Sequence, residues 1–387
     1  MLFIEKAQVY TPKFIGEADI LVSGTKIVAI EKDIPFKNFE KYITDHIYAK
    51  NKIVVPGLID AHVHIAGAGG EGGPATRTPE MKLMHMFQGG ITTVIGCLGT
   101  DGYSRSPKSV LMKVKSIRDQ GASAWMYTGA YQVPVCTITG EISSDILYID
   151  EVIGVGEIAL SDHRSSFPTN NELLRIASQA RVAGMLAGKA GILNIHLGDA
   201  KNPFQPIEMA VSSSELSFRQ FLPTHCNRNT YIFDDAKIYG KTGYVDITAS
   251  SYPFFPEYEI KPSLAIKDLL NAGVPITNIT LTSDGNGSLP DFDADGNLIK
   301  LEMGMPDSIF TEFVDMVKIE KLPVDVAIQV ITSSVSKALK LRQKGHLTNG
   351  MDADILLLNP DFSISHLVAM GKIVVENGKI KLKGNYE

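Results

Sequence analysis

Apolar and polar residues alternate near the start of the chain, in LFIEKAQVY, ADILVSGTKIVAIEK and KIVVP. Alternation of this kind, broken by Gly and Asp turns, predicts short strands with one buried face. The same texture returns at the other end, in ADILLLNP and ISHLVAMGKIVVENGKIKLKG. The two ends are expected to fold together into one small β-sandwich domain, residues 1–55 plus 345–387.

Between them the pattern changes. Strand-length apolar runs (TTVIGCLG, AWMYTGAY, EVIGVGEIAL, GILNIHLG, QFLPTHCN, GYVDITAS, NITLTSDG) alternate with amphipathic stretches such as SPKSVLMKVKSIRDQG and NNELLRIASQARVAGMLAG. Alternating strands and helices predict parallel strands with crossover helices. Over roughly 280 residues this suits an α/β fold of the (β/α)8 TIM-like barrel type, here spanning residues 56–344. A doubly wound open sheet is the competing architecture. Its nucleotide-binding form lacks support, because no GxGxxG follows the first strand and no GxxxxGK[ST] occurs.

Composition narrows the functional classes. The 387 residues are 44% hydrophobic and 21% charged, enough to bury a sizeable core and to exclude global disorder. The net charge is −6 with no basic block, which argues against a nucleic-acid or anionic-membrane partner. No apolar run reaches the about 18 residues of a membrane span, and the N-terminus lacks the layout of a signal peptide. Cys97, Cys136 and Cys226 are far apart and odd in number. They read as small core hydrophobes of a cytoplasmic protein.

The sharpest chemical signal is His62 and His64, at the end of IVVPGLIDAHVHI. On a strand, residues i and i+2 point to the same side, and neutral imidazole is the commonest metal ligand. His196 ends GILNIH, His225 ends QFLPTH, Asp284 ends NITLTSD, and Glu157 lies within EVIGVGEIAL. In a parallel barrel such strand ends converge on one mouth. Any one of these residues could be a satisfied core polar group. Together, four imidazoles and two carboxylates suit a pair of zinc-like ions, with a carboxylate able to bridge them.

PGLIDAHVH, the later single histidines and the aspartate after a strand resemble the amidohydrolase superfamily. GGEGGPATRTPE, SAWMYTGAYQVP, LSDHRS, HLGDAKNPFQPI, LPTHCNRN, LTSDGNGSLP and GHLTNGMDADILLL resemble, more closely, its isoaspartyl dipeptidase family. The resemblance implies hydrolysis of the isopeptide bond in β-aspartyl dipeptides by a hydroxide held between two divalent ions, expected to be zinc. It places one ion on His62, His64 and Asp284, and the other on His196 and His225. The family commonly bridges the pair with a carboxylated lysine. Here the position reads Gly156-Glu157, and no lysine lies between Lys115 and Lys189. Glu157 would bridge directly, brought closer by the extra residue in IGVGE.

By the same resemblance Glu71 binds the substrate ammonium, and Arg164 and Arg228 bind its carboxylates. Ser288 adds a polar contact, Tyr131 donates to the developing oxyanion, and Asp284 is the general base and acid. The resemblance also implies a homo-oligomer, an octamer. A cyclic amidase of hydantoinase or dihydroorotase kind, and a barrel serving only assembly, are the rival readings. Residues 291–302, DFDADGNLIKLE, match a calcium-loop pattern. Without flanking helices they are expected to form a polar hairpin turn. His163 is expected to be structural, not a ligand.

Overall fold

The computed structural model describes residues 1–293 and 297–387. The first five strands are β1 (Leu2–Tyr10), β2 (Phe14–Ser23), β3 (Lys26–Glu31), β4 (Asp45–Tyr48) and β5 (Ile53–Pro56). Eight more follow as β6 (Leu58–Val63), β7 (Ile91–Gly96), β8 (Ser123–Thr128), β9 (Val152–Leu160), β10 (Ile192–Leu197), β11 (Phe221–Thr224), β12 (Val245–Thr248) and β13 (Ile279–Thr282). A hairpin, β14 (Ser288–Phe292) and β15 (Leu298–Met303), precedes β16 (Ile355–Leu358), β17 (Ile364–Ala369), β18 (Lys372–Glu376) and β19 (Lys379–Ile380).

Strands from both ends of the chain share one sheet, in the order β19-β18-β17-β16-β5-β1-β2-β3, with β4 also on β1. The strands of the terminal β domain are thus hydrogen-bonded continuously, nine in one sheet. The reason lies in β1, which pairs with β2 along one edge. On its other edge it takes β4 over Leu2–Glu5 and then β5 at Gln8 and Val9. The seam between the two chain ends is the antiparallel pair β5–β16, with Val54 opposite Leu357 and Val55 opposite Leu356. Ile4, Ile20, Val54, Ile355 and Val368 pack in one core there.

β6 to β11 form a parallel sheet in chain order, and β12 pairs in parallel with β13. Backbone bonds carry the ring further. Cys226 N donates to Asp246 O at 3.0 Å, and Asp284 N donates to His62 O at 3.1 Å. His64 N reaches Gly285 O at 2.8 Å, so the ends of β13 and β6 meet. The result is an eight-stranded barrel, the fold expected from the alternating pattern. Its strands are buried on both faces, for example every residue of β6, β7 and β10. This is why they read as nearly continuous apolar runs.

The crossover helices start where the sequence supplies caps. Thr169 and Glu172 form a capping box on helix Asn170–Ala187, and Ser106 caps helix Pro107–Asp119. Among the described residues no helix is long and apolar enough to cross a membrane. Lys344 joins the barrel floor to the terminal sheet. It is 3% exposed, and its Nζ contacts Asp352 at 2.9 Å, Asp354 at 2.5 Å and Ser123 Oγ at 2.6 Å.

Candidate active site

The six expected ligands come together at one barrel mouth. His62 Nε2 and Glu157 Oε2 are in direct contact. His64 Nε2 lies 3.0 Å from Asp284 Oδ1, and His62 Nε2 lies 3.7 Å from the same oxygen. His196 Nδ1 is 3.2 Å from Glu157 Oε1. The rings of His196 and His225 are 4.6 Å apart. Two overlapping groups have ligand atoms close enough to hold a metal ion: His62, His64, Cys97 and Glu157, and then Glu157, His196 and His225. Glu157 belongs to both.

Local backbone explains these positions. His62 and His64 sit at the end of β6, two residues apart and on one side. His225 and Asp284 follow β11 and β13 in the left-handed region, with φ of 62° and 56°. That conformation is uncommon for side-chain-bearing residues and is concentrated at functional sites. Glu157 is presented by a bulge. Val155 pairs with Leu193 and Ile158 with Ile195, so Gly156 and Glu157 face Asn194 alone. The bulge lies within IGVGE, and a bulge re-aims a side chain. Gly156 is required there, because a Cβ would come within 2.8 Å of the Asn194 Cβ.

The chemistry of this donor set fits divalent metal. Both nitrogens of His62, both oxygens of Glu157 and Asp284 Oδ1 are buried without a well-directed hydrogen bond among the described residues, although the imidazoles and carboxylates are in contact with one another. Buried polar atoms are normally satisfied, so a cluster of orphans facing one another points to a cation between them. Burial alone would push the Glu157 carboxyl up. The imidazoles of His62 and His196 outweigh it and hold the group well below the usual carboxylate range. Burial, with His196 and Arg228 nearby, pushes His225 well below the ordinary imidazole value. It is therefore neutral, the ligating form.

Neighbouring groups fix the rings. His225 Nδ1 meets Thr248 Oγ1 at 2.7 Å, and His196 Nε2 meets Asp162 Oδ2 at 2.9 Å. Cys97 Sγ lies 3.9 Å from His64 Nδ1. Partners on the second ring nitrogen are a usual feature of metal-binding histidines. Cys97 packs in the core as expected and also borders the ligand cluster.

A cavity of about 600 Å³ opens above this centre. Glu71, Tyr131, Arg164, Arg228 and Ser288 all line it. Glu71 Oε1 accepts from Thr100 Oγ1 at 2.9 Å and lies 3.6 Å from Arg164 Nη1. Its Oε2 is buried without a partner among the described residues, as is Ser288 Oγ. Tyr131 OH is 2.8 Å from His196 Nδ1. Burial and the Glu157 charge hold its phenol well above the ordinary value, so it stays a neutral donor. Arg164, expected to bind a substrate carboxylate, is already partly engaged. Its Nε and Nη2 already donate to Asp162 at 2.9 and 2.8 Å, leaving the Nη1 edge towards Glu71. Arg228 is less committed, with Asp199 at 3.9 Å.

His163 is largely exposed, 3.6 Å from Asp162, and belongs to neither metal group. The calcium-like pattern includes residues 294–296, which lie outside the described residues. Its flanks, β14 and β15, pair as an antiparallel hairpin whose Asp291 and Phe292 line the cavity. Asp162, Thr248, Thr100 and Glu259 escaped the sequence reading. Only Asp162, two residues before Arg164, offered a local signal.

The profile described as "Amidohydrolase family" matches residues 224–374. The β-aspartyl dipeptidase of Fervidobacterium islandicum AW-1, solved with β-Asp-Leu dipeptide, is 37% identical with a TM-score of 0.90, and 98% of each chain is covered. Atrazine chlorohydrolase of Arthrobacter aurescens TC1 shares the fold at 16% identity and a TM-score of 0.63, covering 99% of this chain and 97% of that one. The dihydroorotase of Acetivibrio thermocellus is 31% identical over 148 residues, 38% of this chain. The chain spans 31% of the length of that curated relative.

Proposed function

Because the chain belongs to the amidohydrolase family and is a hydrolytic enzyme, we propose that it cleaves the isopeptide bond of β-aspartyl dipeptides. The observation that carries this reading is the buried, unpartnered Oε2 of Glu71, set beside Arg164 in the cavity above the ligand cluster. A buried carboxylate oxygen without a partner calls for a donor, and the substrate ammonium supplies one. The solved relative's β-Asp-Leu is a zwitterion of this kind.

In this reading the barrel, residues 56–344, is the catalytic domain. His62, His64 and Asp284 would hold one divalent ion and His196 and His225 a second, with Glu157 available to both groups. Bound zinc supplies Lewis-acid polarisation and a water whose pKa falls towards about 7. Glu71 holds the α-ammonium, and the free edge of Arg164 holds the carboxylate on the same carbon. Arg228 holds the carboxylate of the leaving residue, and Ser288 adds a hydrogen bond. Tyr131 donates its phenolic proton in a hydrogen bond to the oxygen that gains charge. Asp284 takes the proton of the attacking water and delivers it to the leaving amine. Because Glu157 carries its own carboxylate, assembly needs no carbon dioxide. The enzyme is read as a cytoplasmic homo-oligomer, with no nucleic-acid or membrane partner.

The sequence matches to dihydroorotases favour a second reading, a cyclic amidase using the same ligands. A cyclic amide has no ammonium to offer the unpartnered Oε2 of Glu71. The test is direct: purified protein is assayed on β-Asp-Leu, hydantoin and dihydroorotate, with metal content measured in parallel. Cleavage of β-Asp-Leu is the expected result. Turnover of the cyclic amides alone would overturn the dipeptidase reading.

A further inference from the structure

This inference rests on the dipeptidase reading and concerns the residue that is released. Glu71 and Arg164 stand 3.6 Å apart, so together they meet the ammonium and carboxylate carried by one carbon. The rest of the cavity lining is left for the leaving residue. It is built by Arg228 after β11, by Phe255 and Glu259 after β12, and by the hairpin. The mechanism gives Glu259 no task. Its carboxylate accepts from Ser251 Oγ at 2.7 Å.

Arg228 apart, this lining holds no arginine or lysine among the described residues. Asp199, Glu259 and Asp291 line the same cavity. Once the backbone carboxylate of the leaving residue sits on Arg228, a second negative charge finds three carboxyl groups and no unclaimed guanidinium. Asp199 is 68% exposed on its side chain and is well screened. Glu259 is more enclosed and so carries more of the repulsion.

We infer that Glu259 is a specificity-determining residue that rejects acidic leaving residues. The substrate class is then β-aspartyl dipeptides ending in a neutral or basic residue. Like-charge juxtaposition in a partly enclosed site is costly, whereas an uncharged isostere meets no such repulsion.

The test compares kcat/KM for β-Asp-Gln and β-Asp-Glu, which have nearly the same shape. Burial pushes Glu259 up to about 7, with Asp284 and Asp199 adding to it and Ser251 and Arg228 opposing. The assay is therefore run at about pH 8, where the carboxyl is ionised. The Gln-to-Glu preference should be about tenfold or more in the unaltered enzyme, and should fall at least about threefold in Glu259→Gln. Each ratio is taken within one protein, so changes in folding or overall turnover cancel. Equal rates on the two dipeptides in the unaltered enzyme would overturn the inference, as would an unchanged ratio in the variant. Hydrolysis of cyclic amides but of neither dipeptide would overturn the dipeptidase reading itself, and this inference with it.

Discussion

Replacing Arg228 with Ala tests the substrate assignment most directly. The side chain is 23% exposed, and its acidic neighbour Asp199, at 3.9 Å, is itself 68% exposed. Unit charges about 4 Å apart at an effective dielectric near 20 attract by about 4 kcal/mol. Solvent screening and the competing Asp199 reduce this to about 2–3 kcal/mol, in line with hydrogen bonds to charged groups. The expected loss in kcat/KM on β-Asp-Leu is therefore about 30- to 150-fold, mostly through KM. Leucine release is measured over a range of substrate concentrations. β-Asp-leucinamide, which lacks the leaving carboxylate, serves as the paired substrate. On it the variant and the unaltered enzyme should differ little. Unchanged kcat and KM on β-Asp-Leu would refute the argument, as would an equal loss on both substrates.

Glu157→Gln should cut bound metal from about two ions per chain to below one, read by atomic emission, because one carboxylate serves both groups. Loading the unaltered protein in buffer freed of carbon dioxide should reach the same metal content. Gly156→Ala should also lower metal content, since the new Cβ would lie 2.8 Å from the Asn194 Cβ and displace the bulge. Cys97→Ala should weaken metal binding by about tenfold in a chelator competition, because His64 loses its ring partner. Selectivity against β-Asp-Glu should decline as pH falls from about 8 to about 6, as the Glu259 carboxyl protonates around 7. Glu259→Gln should show no such decline in the same kcat/KM ratios.

The barrel was readable in the sequence because its strands are buried on both faces and stand out as apolar runs between amphipathic helices. The candidate ligands were readable for a related reason. His196 lies inside an apolar run and His225 and Asp284 stand just past theirs, where a polar residue has no packing role. The single continuous terminal sheet was not readable, because periodicity shows which residues face a core but not which edge pairs with which. That depends on β1 changing partner from β4 to β5 after Glu5. The supporting contacts were hidden for another reason. Thr248 meets His225 across two strands, and Cys97 reaches His64 from the end of a neighbouring one. Neither pair has any regular spacing along the chain. Arg164 shows the opposite case, since its partner Asp162 stood two positions away and was passed over.

The β5–β16 seam has a consequence for biosynthesis. Val54 and Val55 emerge from the ribosome long before Leu356 and Leu357 exist to pair with them. Throughout translation of the barrel, β5 presents an apolar edge with nothing to bond it, a template for association between nascent chains. Chaperone dependence during expression should therefore track this edge, and a charged substitution at half-buried Ile53 is where it would be relieved.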